Sequence, residues 1–195
     1  MNSKERIQAA LERKPIDRLP VDIWYTPEVL DSLKQHFSVD DEVSLWKKMG
    51  IDKIAWVFMD YSAEGHENTG SQVGSGAGGS RTMWGVPLKG IDAGDAHYDE
   101  FGEAPMKNID VPSKVDGYQW WPDPDYFNYD DALSRAKKFN EDFVVIGPWV
   151  SLFEIYCQLR GIQQALMDMV LSPSLVDAIL DRIEDIQSEM MKRFL

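Results

Sequence analysis

The 195-residue chain is 44% hydrophobic and 27% charged, with a formal net charge of -13, which fits a folded domain with a sizeable core rather than a disordered segment. Such a carboxylate surplus excludes the concentrated Lys and Arg that a nucleic acid or an anionic membrane surface requires, and points to a small-molecule substrate. Cys157 is the single cysteine, so no internal disulfide forms; with no apolar leader after Met1 and no uninterrupted apolar run of ~18 residues, the expected setting is the reducing cytoplasm.

In chain order, Asn2 with Glu5 forms the pattern of a capping box, and Ile7, Ala10 and Leu11 recur at helical spacing until Lys14-Pro15 ends the run. Pro20 to Tyr25 alternates as a strand does, and Thr26-Pro27 then opens a helix carrying Leu30, Leu33 and Phe37. A helix over Glu42 to Met49 is expected to stop at Gly50. The run from Lys53 to Met59 is apolar on both faces, as in a buried parallel strand.

From Gly65 to Pro112 the rhythm breaks. Many glycines and two extended pieces, Met83 to Val86 and His97 to Phe101, predict an inserted loop and antiparallel hairpin over residues 65–112. Asn128 then caps a helix with Ala132, Leu133, Ala136 and Phe139, and Phe143 to Ile146 reads as another buried strand. Helical stretches follow near Ser151 to Leu159 and Ile162 to Leu171, and Ser172-Pro173 opens a last helix bearing Leu175, Val176, Ile179, Ile183, Ile186 and Met190. Strands separated by helices imply a parallel α/β sheet, either open or closed as a barrel. A closed barrel needs eight strands and typically ~250 residues. The barrel reading therefore expects more chain, and a last helix lacking a C-terminal glycine or proline signal agrees with that expectation.

Gly74 to Gly79 matches G-x-G-x-x-G, but no strand directly precedes it and no helix follows, so it reads as a loop rather than a dinucleotide cradle. Asp60 directly follows the apolar run. It is either a carboxylate at a barrel mouth or a cap of the turn after it. Asp22, between Val21 and Ile23, is either a site carboxylate or a satisfied polar group. His36, His66 and His97 are too dispersed for a zinc site, and Glu64 with His66 is the one pair at ligand-like spacing. Cys157, among Ile155, Tyr156 and Leu159, reads as a small core side chain. Trp120 and Trp121 either stack on a planar ligand or pack as a lid.

Several stretches together resemble the uroporphyrinogen decarboxylase family. They are Ser3 to Arg6 with Ala9 to Leu11, Asp17 to Val21, Trp84 to Val86, and Gly147 to Trp149 running on to Leu159-Arg160-Gly161. The resemblance implies a (β/α)8 barrel, of which this chain corresponds to the N-terminal half with its inserted loop and hairpin. It also implies two candidate activities. Cofactor-free decarboxylation of uroporphyrinogen acetate groups would use a site aspartate, matched by Asp60, and an active-site tyrosine, for which Tyr156 is the counterpart at a different spacing. Asp22, Trp24 and Tyr25 fall nearby as substrate-binding residues.

True decarboxylases carry Arg-x-Pro-Val-Trp-x-Met-Arg-Gln-Ala-Gly-Arg, whereas this sequence has Tyr25 and Val29 where the two later arginines bind substrate carboxylates. The second activity, methyl transfer between a corrinoid protein and a thiol or a methylated small substrate, uses zinc ligands that in the family lie in the C-terminal half. The missing arginines favour this branch. A non-catalytic fragment, forming a homo-oligomer through an open barrel edge, is the alternative of a different class.

Overall fold

The computed structural model describes residues 1–64, 69–70, 81–92, 94 and 97–195. They form a mixed α/β chain of seven α-helices, two short 3-10 helices and six short strands, with no closed barrel among the described residues. The chain divides into two compact units, Met1–Val57 with Asp130–Pro148, and Phe58–Tyr129 with Trp149–Leu195. No helix among the described residues is long and apolar enough to cross a membrane. The glycine-rich Gly74 to Gly79 motif and His66 lie outside the described residues.

The first unit starts with α1 (Ser3–Leu11), whose capping box forms as expected: Asn2 accepts from the Glu5 amide and Glu5 accepts from the Asn2 amide. Helix α2 (Pro27–Phe37) begins at Pro27, and α3 (Glu42–Met49) is capped by Asp41 and ends on Gly50 in the left-handed region at φ 66°. Strand β1 (Ile54–Trp56) pairs in parallel with β6 (Val144–Ile146), reached through most of α4 (Tyr129–Phe139). Ala55 and Val145 turn to the helices, packing with Trp46, Phe139 and Phe143. By alternation Ile54, Trp56, Val144 and Ile146 take the opposite face, where they are half-buried.

The expected strand over Pro20 to Tyr25 does not form. Side chains take its backbone groups: the Val21 amide donates to Asp52 at 3.1 Å, the Ile23 amide to Asp22 at 2.8 Å, and the Ile23 carbonyl accepts from Lys53 at 2.9 Å. One link to the chain entering β1 remains, from the Asp52 amide to the Val21 carbonyl at 2.6 Å. Local side-chain bonds have displaced a ladder. The expected strand over Lys53 to Met59 is likewise shorter, with Ile54 to Trp56 in regular pairing.

Asp52 holds this unit's entry segments together. Its carboxylate, 1% exposed, accepts from Arg6 and Arg18 at 2.5 Å each and from the Val21 amide. Arg6 also bridges to Asp17 at 2.6 Å. That pairing holds the Asp17 carboxyl well below the usual carboxylate range.

In the second unit, α5 (Leu152–Arg160), α6 (Ile162–Leu171) and α7 (Pro173–Phe194) pack together. Helix α7 buries Leu175, Ile179, Ile183, Ile186 and Met190 along one stripe. An antiparallel hairpin forms with the expected second arm and a different first one, β4 (Leu88–Asp92) paired with β5 (His97–Phe101). Strands β2 (Thr69–Gly70) and β3 (Arg81–Thr82) pair in parallel. Met83 to Val86, read as extended from sequence, is instead a tight turn in which the Gly85 amide donates to the Thr82 carbonyl at 2.8 Å.

Gly85 has φ 77°, and a Cβ there would sit 2.5 Å from Trp120 Cβ and 2.6 Å from the Tyr118 hydroxyl. Replacing it adds left-handed strain to a collision with an aromatic cluster. Gly85→Ala is therefore expected to destabilise the protein by about 2–4 kcal/mol, read as a lower urea midpoint at unchanged slope.

Candidate functional site

A cavity of about 230 Å³ in the first unit is walled by Trp24, Tyr25, Trp46, Trp56 and Phe139, with Glu42, Lys53 and Arg135 among its polar lining. The segment that fails to become a strand supplies Trp24 and Tyr25, α3 supplies Glu42 and Trp46 one helical turn apart, and α4 supplies Arg135 and Phe139 at the same spacing. Lys53 immediately precedes β1 and Trp56 ends it.

Tyr25 is the hub of the polar groups. Its hydroxyl accepts from Trp46 Nε1 at 2.7 Å and donates to Glu42 Oε1 at 3.1 Å. Burial, reinforced by the Glu42 and Asp22 carboxylates against the opposing Trp46 bond, pushes its pKa up to about 12. The phenol thus stays protonated through the physiological range.

Lys53 has its ammonium fully committed. It pairs with Asp22 at 2.9 Å, donates to the Ile23 carbonyl, and lies 5.1 Å from the Trp24 ring centroid. The Trp24 and Trp56 ring centroids stand 6.0 Å apart, tilted by 53°. Asp22 and Trp24 stand against Lys53, and Tyr25 against Glu42. Sequence reading missed those two partners. A lysine opening an otherwise apolar strand is the signal that could have found Lys53, since a buried ammonium demands a carboxylate and acceptors.

Asp60 and Tyr156 belong to the second unit. Asp60 has an exposed side chain, and its carbonyl accepts from the Asn128 amide at 2.9 Å. Tyr156 is wholly buried, with its hydroxyl 3.3 Å from the Ala165 carbonyl and 3.4 Å from Asp168. Asp168 is in turn bound at 2.7 Å by both Arg160 and Gln164. Arg160 also donates to the Met106 and Ile109 carbonyls. The Leu159-Arg160-Gly161 stretch thus ties α5 and α6 to the 104–109 loop, and Tyr156 serves that packing.

Trp121 is likewise part of the core, its Nε1 donating to the Val115 carbonyl at 2.9 Å. Cys157 is half-buried, and desolvation pushes its thiol pKa up, away from thiolate chemistry. Among the described residues no three His, Cys, Asp or Glu side chains gather as a metal would require. The described residues therefore do not fit a zinc centre.

The chain matches no protein-family model, no curated protein and no solved structure.

Two tyrosine variants separate the hub from the packing residue. Tyr25→Phe strands the buried Trp46 donor and is expected to cost about 1–3 kcal/mol. Tyr156→Phe leaves Asp168 bonded by Arg160 and Gln164 and costs ~0.5–1 kcal/mol, since its two bonds are long. Because folding raises the Tyr25 pKa, its contribution is complete below about pH 10 and declines as pH rises toward about 12. Urea midpoints measured between pH 7 and 11 should therefore fall less in Tyr25→Phe than in the wild type.

Proposed function

We propose that this chain is part of a (β/α)8 barrel enzyme of the uroporphyrinogen decarboxylase family, of its methyl-transferring branch, acting on a small-molecule substrate. The observation that carries the barrel reading is the parallel pairing of β1 with β6, two strands far apart in the chain. Helices cover one face of that pair, and Ile54, Trp56, Val144 and Ile146 leave the other half-buried, as the lining of a larger barrel would be. Asp60 follows β1 by a few residues, the chain position at which such enzymes carry reacting groups.

The choice of branch rests on charge. Where decarboxylases place two arginines, this chain has Tyr25, bonded to a carboxylate and an indole, and Val29, which is 45% exposed. A substrate with eight carboxylates would meet neither cation there and would lose charge-assisted bonds of ~1.5–3 kcal/mol each. Methyl transfer from a corrinoid protein makes no such demand. Zinc has no set of ligands among the described residues, so no step is assigned to it. The part given to the first unit is substrate positioning, by the rings and carboxylate around Tyr25.

The enzyme purified from its own cells should leave uroporphyrinogen unchanged in the absence of metal and corrinoid. It should demethylate methylcobalamin when a thiol and zinc are supplied, followed by the visible spectrum of the corrinoid. Decarboxylation of uroporphyrinogen, read as appearance of coproporphyrinogen, would overturn the branch assignment. Failure of both reactions would remove the family reading.

A further inference from the structure

We propose that the cavity around Tyr25 is a binding site for a small organic cation of the alkylated ammonium class. The inference stands on the rings and charges of the first unit and does not depend on the barrel reading.

Charge accounting within the cavity comes first. Lys53 is neutralised by Asp22 at 2.9 Å, and its remaining donors are directed to the Ile23 carbonyl and the Trp24 face. Arg135 is paired with Asp131 at 2.7 Å. Glu42, by contrast, has the neutral Tyr25 hydroxyl on Oε1, and no salt bridge joins it to a described cation. With the partners Asp22 and Asp131 counted beside the lining, Glu42 is the carboxylate of this group that no cation neutralises, with Oε2 left for a ligand.

The walls fit the same ligand. Tyr25, Trp56 and Phe139 line a half-enclosed space of about 230 Å³, with Trp46, 3% exposed, packed behind them. Aromatic faces attract cations through their quadrupoles, and alkyl groups on nitrogen bury apolar area against them without requiring hydrogen bonds. A protonated Tyr25 also leaves the Glu42 charge localised on its carboxylate. An anionic ligand finds a poorer match: Lys53 and Arg135 are each already paired with a carboxylate, and Glu42 repels it.

Binding to the full chain is measured by titration calorimetry with choline, its uncharged isostere 3,3-dimethylbutan-1-ol, and 3,3-dimethylbutanoate. Choline is expected to bind about tenfold more tightly than the isostere, with the carboxylate weakest. Glu42→Gln, which keeps an acceptor for Tyr25, should reduce the choline preference to near unity while leaving isostere binding in place. Should that variant fail to fold, the three probes on the wild type decide the matter alone. Equal binding of choline and isostere, tighter binding of the carboxylate, or no choline response from folded protein would each overturn the proposal.

Discussion

The first unit depends on one buried carboxylate. Asp52 at 1% exposure is an ion that water has been stripped from, and such an ion is tolerable only when every lone pair is answered. Arg6 answers from α1, Arg18 from the following loop, and the Val21 amide from the segment beside β1. Two stretches remote in sequence, α1 and the 18–21 segment, are thereby fixed to a residue just ahead of β1. Removing any one would leave charge or a polar group unpaired in the interior, so the geometry is specified together or not at all. The second unit repeats the device with Arg160 and Asp168, which join α5 and α6 to a loop fifty residues earlier in the chain. In both, an arginine fork does what apolar packing cannot, because its donors have direction.

These joints explain which expectations from sequence held. The α1 capping box, the stop of α3 at Gly50 and the amphipathic run of α7 are local, each fixed by residues within one or two turns, and each was readable. The parallel pairing of β1 with β6 followed from two short apolar runs alternating with helices. What could not be read is non-local. The alternation from Pro20 to Tyr25 suits a strand, but the outcome was decided by Asp52 and Lys53, thirty residues on, whose side chains reached the backbone first. Met83 to Val86 looked extended until Gly85 adopted a positive φ against Trp120 and Tyr118.

The resemblance singles out Asp22, Trp24 and Tyr25, but the partners that give them chemistry, Glu42 and Trp46 on α3 and Lys53 at β1, carry no motif in the sequence. Asp60 and Tyr156 stand in the other unit, one exposed and one committed to helix packing. A tyrosine on an apolar helical stripe gives no sequence sign of whether its hydroxyl faces a ligand or an Asp168.

The cavity and the missing strand have a common cause. Had Pro20 to Tyr25 joined β1 by a regular ladder, alternation would have fixed Trp24 and Tyr25 on opposite faces of a sheet. Instead the Ile23 carbonyl is held by the Lys53 ammonium and the Ile23 amide by Asp22, which leaves the next two residues free of sheet register. Trp24 can then cover Lys53 while Tyr25 turns its hydroxyl to Glu42 and Trp46. Regular secondary structure is given up here where aromatic rings meet the Glu42 carboxylate. Departures of that kind concentrate where a chain does something other than fold, and this one brings Trp24 and Tyr25 into the lining of the cavity.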